Sequence, residues 1–210
     1  MPTWETVRHQ VAIAGRVSDA QTGKTIARAR VEITAAPAEF TAWLAIRAKQ
    51  HQEHWETMDE RPDRTRTALD GHFHFLDLPD GSYTLTVSLP GSGSRYGTAQ
   101  VVATVSRDAE ENIVMAAADT TLPPTTVKGQ ITEQDSDPVI LVAMAEVRVK
   151  GSGERTFSDG QGQYLLAGLE TGARTVLVSA QGYQPASQAV SLNQAGVEQT
   201  LNFALSEPVV

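Results

Sequence analysis

The chain is predicted to be all-β, with two tandem Greek-key β-sandwiches of which the first carries an amphipathic helical insertion. Three observations predict this. A block of the sequence occurs twice: Gly71, Phe73, Phe75, Leu78, Gly81, Leu85, Val87 and Gly91 fall on Gly162, Tyr164, Leu166, Leu169, Gly172, Val176, Val178 and Gly182, each pair 91 residues apart. A repeat of that length, rich in alternating apolar residues and turn glycines, marks a duplicated strand-turn-strand unit. Upstream, the two copies are 116 residues apart (Ala29–Ile33 against Ala145–Val149), so the first copy holds 25 extra residues between Ile33 and Gly71. Their apolar period is helical.

Val11 to Val17 alternates as a half-buried strand does, and Val127 to Ile131 is its counterpart, with Gly15 matched by Gly129. Asp19, Thr22 and Gly23 form a polar turn before the second strand, Ala29 to Ile33. The extra residues follow, an insertion of about 35–66. Phe40, Trp43, Leu44, Ala48, Trp55 and Met58 lie on one helical face opposite Lys49, Gln52, Glu53 and Glu56, which predicts a helix over 38–59, about 33 Å long. Strands at Gly71–Leu76 and Ser82–Leu89 flank the Leu78-Pro-Asp-Gly81 turn; in the second copy that turn reads Leu169-Glu-Thr-Gly172. Further strands are expected at Thr98–Val105, Asn112–Ala116, Ala186–Leu192 and Gln199–Ala204. Pro123-Pro124 marks 120–126 as a short linker between domains at 1–119 and 127–210.

The 210 residues include 17 Lys and Arg against 25 Asp and Glu, for a net charge of −8, shared equally between the halves. An acidic chain without a basic run is a poor match for a phosphate backbone, so no nucleic acid partner is expected. There is no cysteine, which leaves no disulfide framework and no thiolate metal site. The N-terminus lacks an apolar stretch behind a basic start, and no later stretch is apolar enough to cross a membrane as a helix. The expectation is cytoplasmic synthesis without a Sec signal and, in the end, a place in a particle or appendage.

The order Gly-x-Val-x-Asp, Gly-x-x-Ile-Ala-x-Ala-x-Val, Asp-Gly-x-Phe-x-Phe-x-x-Leu-Pro-x-Gly-x-Tyr-x-Leu-x-Val across Gly15 to Val87 resembles the carboxypeptidase regulatory-like domain, a transthyretin-like β-sandwich. Residues 127–205 resemble a second copy that departs from the pattern, with Arg174 where it has Tyr. The resemblance implies a fold and an accessory role beside peptidases, receptors, adhesins and appendage proteins. It implies no catalytic residues.

The candidate chemistry is sparse. His72 and His74 point to one face of a strand, about 7 Å apart, and with a third ligand could hold a metal; the second copy offers Gln161 and Gln163. The plain alternative is two solvent-facing residues, and no metal or cofactor is expected. His51 and His54 flank Glu53 without the i, i+4 histidine pair of a zincin helix, and are expected to rim the contact between helix and sheet. No nucleophile elbow occurs. The Tyr-Arg-Gly-Ser signature of hydroxyisourate hydrolases is also absent, Ser94-Arg-Tyr-Gly97 being an internal loop. A pilin-type isopeptide would need Lys128 and Asn202 inside, but strand parity turns both outward. Asp135 and Asp137, and Glu110 and Glu111, lack the alternation of a calcium loop.

These residues predict no enzyme. They predict a structural or interaction protein that joins protein partners as an accessory subunit of a larger assembly, such as a phage-tail-like contractile injection particle. Phe40, Trp43 and Trp55 on the helix and Trp4 in the N-terminal arm are the candidate partner-binding residues, since aromatics anchor interfaces; on the helix they could equally cap an open sheet. The alternative is a glycan- or peptide-binding adhesion module that stacks its ligand on Tyr96, Trp4 or Tyr183. An enzyme built around His72 and His74 is a third reading.

Overall fold

The computed structural model describes residues 9–208, which divide into two compact units, 9–90 with 98–122 and 91–97 with 123–208. Trp4 lies outside the described residues. In the first unit β1 (Val11–Asp19) pairs antiparallel with β4 (His72–Leu76) and parallel with β8 (Ala116–Ala117) and β9 (Thr120–Leu122). The facing sheet runs β3 (Arg64–Arg66), β2 (Arg30–Ala35), β5 (Gly81–Ser88), β6 (Ala99–Arg107), β7 (Ile113–Val114). Between β2 and β3 the chain forms α1 (Ala38–His51) and the single turn α2 (His54–Thr57).

The second unit repeats the plan. β10 (Thr126–Glu133) pairs antiparallel with β13 (Gln163–Ala167) and parallel with β16 (Glu198–Thr200) and β17 (Phe203–Leu205). Opposite lie β12 (Arg155–Phe157), β11 (Glu146–Val149), β14 (Gly172–Ser179) and β15 (Ala186–Leu192). Each core forms because alternate strand residues turn inward: Phe73 and Phe75 on β4 and Tyr83, Leu85 and Val87 on β5 are buried, as are Tyr164 and Leu166, Val176 and Val178 in the copy. Each such side chain contributes about 1.5–3 kcal/mol of burial.

Three structural devices are duplicated along with the strands. Thr67 Oγ1 donates to Ile26 O (2.7 Å) and accepts from Ala29 N–H (2.9 Å), and Ser158 Oγ does the same with Val142 O (2.7 Å) and Ala145 N–H (2.9 Å). Both hydroxyls are buried. Thr67→Val is therefore expected to strand the Ala29 amide and lower the stability of the first unit by about 1–3 kcal/mol, read as an earlier urea midpoint in tryptophan fluorescence; an unchanged midpoint would count against it. Second, Tyr83 OH donates to Pro79 O (2.8 Å), fixing the β4–β5 turn. Burial, with Asp80 and Glu39 adding to it, pushes this phenol up to about 12. Arg174, which departs from the tyrosine pattern, takes over the task by donating from Nε to Glu170 O at 3.0 Å. The third device is a kink in the last strand. At Gly15 a Cβ would lie 2.4 Å from Ala118 O, and at Gly129 one would lie 2.0 Å from Leu201 O. Beside each kink a side chain holds the next amide: Asp119 Oδ1 accepts from Arg16 N–H and Asn202 Oδ1 from Gln130 N–H, at 2.8 and 2.9 Å.

The structure corrects several expectations. The linker expected at 120–126 is shorter than that: Thr120–Leu122 pairs with Val17–Asp19, and Leu122 is fully buried, while Thr126 opens β10. The prolines fall between two strands that are consecutive in the sequence. The strand expected at Asn112–Ala116 reduces to β7, and the last strand of the sandwich lies further on. β3 is no part of the insertion, because Val31 pairs with Thr65 as Val147 pairs with Thr156; the excess ends before Arg64. The helix expected over 38–59 breaks at Gln52 (φ 50°, ψ −129°), leaving 14 residues in α1, about 21 Å. The break lets Trp55 leave the helical face and pack on Arg61, whose guanidinium carbon sits 4.8 Å from the ring centroid.

A groove between the insertion and an edge strand

In the first unit β3 and β4 are the edge strands of their sheets. Along them runs an open groove of about 600 Å³, walled by Phe40 and Trp43 of α1, by Glu60–Thr65, and by His74–Pro79, with His9 at one end. It lies in the half that carries the unshared residues.

The insertion wall is built from a few anchors. Phe40 is 4% exposed and meets Tyr83 edge-on at 5.8 Å; Trp55 is 7% exposed. These two side chains fix the insertion to the sandwich, which is the capping role. Trp43 behaves differently: it is 40% exposed, touches Phe40 at 5.7 Å and lies under Arg47 at 5.2 Å. Leu44 and Ala48 are half-buried and Ile46 is exposed, so α1 keeps most of its surface in solvent instead of covering a sheet face. The expected aromatic face is thus divided between two roles.

Beneath Trp55 lies an ion cluster. Arg61 makes a two-pronged bond to Asp63 (Nε–Oδ1 and Nη2–Oδ2, both 3.0 Å), and Arg61 and Arg64 both reach Glu32 Oε1, at 3.2 and 2.8 Å. Arg61 and Asp63 are almost fully enclosed, with side chains 4% and 7% exposed. At the far end His9 pairs with Asp77, which also accepts from Gln10 N–H at 2.8 Å. Burial alone would raise the Asp77 carboxyl, but the Gln10 amide and the His9 ring outweigh it and hold it below its ordinary value. On the rim Glu39 and Glu60 have no cationic partner among the described residues.

The sequence singled out Phe40, Trp43 and Trp55 but missed His9, Asp77, Glu39 and Glu60. Only the Asp77-Leu-Pro-Asp80 turn, opening at an Asp77 with φ 53°, hinted that Asp77 has a special place. His72 and His74 face solvent on β4 as expected, but no third ligand joins them: among the described residues no group of three or more His, Cys, Asp or Glu could hold a metal. Strand register sets Gln163 opposite Gln130 and Leu165 opposite Lys128, as His72 faces Arg16 and His74 faces Ala14. The true counterparts in the copy are therefore Gln163 and Leu165, not Gln161 and Gln163. His51 and His54 are both exposed, His51 lying 5.8 Å from the Trp55 ring.

In the second unit Lys128 pairs outward with Glu198 at 2.5 Å, and exposed Asn202 serves the strand kink. This is the parity expected of them, and it leaves no inward Lys–Asn pair. Tyr183 is half-buried and donates to Glu133 Oε2 at 2.8 Å, which raises its pKa, and Tyr96 is half-buried in a bridge with Pro124. Ser94-Arg-Tyr-Gly97 is more than a plain loop. Ser94 donates from both N (2.9 Å) and Oγ (2.6 Å) to Glu170 Oε2, and with Arg95 it holds that carboxyl below its ordinary pKa. No helix among the described residues is long and apolar enough to cross a membrane.

The fold now on the page, two sandwiches each closed by a last strand parallel to the first, defines a transthyretin-like module. The sequence matches the carboxypeptidase regulatory-like domain over residues 12–116 and again over 126–206. The chain belongs to that family, as two tandem copies. No curated protein matches it. Solved structures with similarity include the TIE protein of Bacillus anthracis (12% identity, TM-score 0.36, 94% of this chain and 34% of that one). The minor pilin of Streptococcus agalactiae is 13% identical (TM-score 0.35, 94% and 96%), and the shaft pilin of Lactobacillus rhamnosus GG is 11% identical (TM-score 0.39, 98% and 99%). The chain spans about a third of the length of the first of these. At these identities and scores the similarity extends to neither ligand nor activity.

Proposed function

We propose that this chain is a non-catalytic interaction module, an accessory subunit that attaches to a larger protein assembly through its first sandwich. A phage-tail-like contractile injection particle is the specific setting proposed, on the grounds that such particles use repeated β-sandwich parts. The observation that carries the interaction reading is Trp43. A tryptophan 40% exposed, on an insertion that its sister domain lacks and in the lining of an apolar groove, leaves a large aromatic surface that its own fold does not use. It is well placed to fill a pocket or cover a strand on a partner.

The test uses the full chain in its native cells. Tagged wild type is expected to co-purify with a defined assembly, and Trp43→Ala to lose it while its urea midpoint shifts by less than the equivalent of about 1 kcal/mol. A wild-type chain that remains monomeric and joins no particle would sink the proposal. So would a Trp43→Ala chain that assembles normally.

A further inference from the structure

We infer that the free edge of β4 takes an extended segment of a partner protein, apolar at alternate positions and carrying basic residues, as an added antiparallel or parallel strand. The inference rests on the interaction reading above and specifies its chemistry.

Strand register decides which backbone groups are available. Val17 N–H donates to Gly71 O and Asp77 N–H to Gln10 O, and between them Phe73 and Phe75 pair with Gly15 and Ile13. Odd-numbered residues of β4 thus turn their amides to β1. Even-numbered ones turn theirs to the outer edge. His72 is already engaged there, its carbonyl by Ala68 N–H and its amide by Asp70. His74 and Leu76 have no backbone partner among the described residues. The neighbouring edge strand offers a shorter opening, because Arg61 and Arg64 exchange backbone hydrogen bonds and close the outer side of β3 at Arg64, which leaves Arg66 alone without a backbone partner there among the described residues. An unblocked edge is a template for strand addition.

The walls select the occupant. A strand added at His74–Leu76 lies in the groove, with Phe40, Trp43, Leu76 and Pro79 beside it. These accept apolar side chains at every second position. The rim charges then favour a cationic segment: Arg61 and Arg64 are neutralised by Asp63 and Glu32, whereas Glu39 and Glu60 have no cationic partner among the described residues. An acidic segment would meet like charge along the insertion wall.

The probe is a seven-residue peptide alternating lysine and valine, Lys-Val-Lys-Val-Lys-Val-Lys, added to the isotope-labelled full chain. Saturable binding is expected, with slowed hydrogen exchange at the His74 and Leu76 amides, and an affinity at least tenfold weaker when alternate peptide amides are N-methylated. That control leaves the protein untouched. Leu76→Pro, which deletes one outward amide, and Glu39→Gln with Glu60→Gln should each weaken binding several-fold. A glutamate-valine peptide should bind at least tenfold more weakly than the lysine one. Equal binding of the methylated peptide, equal binding of the acidic peptide, or unprotected His74 and Leu76 amides would each overturn the inference. If Trp43→Ala abolishes native assembly but Leu76→Pro does not, strand addition fails while the interaction reading stands. If neither variant disturbs assembly, the interaction reading fails.

Discussion

Gly129→Ala is expected to unfold the second unit, and Gly15→Ala the first, each at a cost of about 3 kcal/mol or more, the upper end of overpacking penalties. Neither glycine has the positive φ that would demand its conformational freedom. The demand is for space alone. The last strand of each sandwich bends so that one carbonyl, from Ala118 or Leu201, lies where a Cβ would stand, at 2.4 and 2.0 Å. The bend cannot relax outward cheaply. Ala118 N–H and Leu201 N–H each bond back to the first strand at 2.8 Å, and Asp119 and Asn202 hold the following amides. In the second unit Tyr164 OH also donates to Leu201 O at 2.5 Å. A methyl group must therefore break several hydrogen bonds or push a backbone segment out of the core. Because all three tryptophans lie in the first half, Gly15→Ala should be read by tryptophan fluorescence and Gly129→Ala by far-ultraviolet circular dichroism. Gly160→Ala is the control: nothing stands within 4 Å of its Cβ and its φ is ordinary, so its urea midpoint should not fall. Midpoints of Gly15→Ala or Gly129→Ala matching that control would refute the steric account.

The same glycines show what was legible in the sequence. Their spacing marked them as repeated, and the repeat with its period-2 apolar residues was enough to give two sandwiches, because inward alternation is a local property. The reason for the glycines was not legible. It depends on a kink in a strand about 100 residues away in the first case and about 70 in the second, within a pairing that is parallel and non-local. The end of the first sandwich was misplaced for a related reason: Thr120-Thr-Leu122 is too short to announce itself as a strand, and the prolines after it suggested a linker. Arg174 illustrates the converse. It departs from the family's tyrosine, yet it delivers the same hydrogen bond to the same turn through different atoms. At the groove, Trp43 could be read from helical periodicity, whereas His9, Asp77, Glu39 and Glu60 meet only through tertiary structure. The helical period also misassigned Trp55, because it gives no account of what a side chain gains by leaving the helix.

What Trp55 gains is the cover of a buried ion pair, and Arg61→Ala should show the size of that effect. Removing the guanidinium leaves the Asp63 carboxylate, 7% exposed, without its two 3.0 Å bonds, and frees Trp55 of its cation and the Trp55 carbonyl of a donor at 3.2 Å. Breaking one side of a buried pair costs about 3–5 kcal/mol, most of it the penalty on the charge left behind. A loss of about 3 kcal/mol in the first unit is expected, with Trp55 emission shifted to the red. The partner change clarifies the cause. Arg61→Met combined with Asp63→Leu removes both charges and keeps apolar volume, so the double variant should be more stable than Arg61→Ala, and the cycle should show strong coupling. The Glu32–Arg64 contact at 2.8 Å remains in either case. If Arg61→Ala cost less than about 1 kcal/mol, within reach of a surface ion pair, Phe40 alone would be anchoring the insertion. The consequence for binding follows from position. Arg61 and Arg64 form one wall of the groove, so a charge pair that stabilises the fold also sets the distance between that wall and β4. The double variant should then keep the fold while losing affinity for the lysine-valine peptide, separating the pair's contribution to stability from its contribution to the shape of the groove.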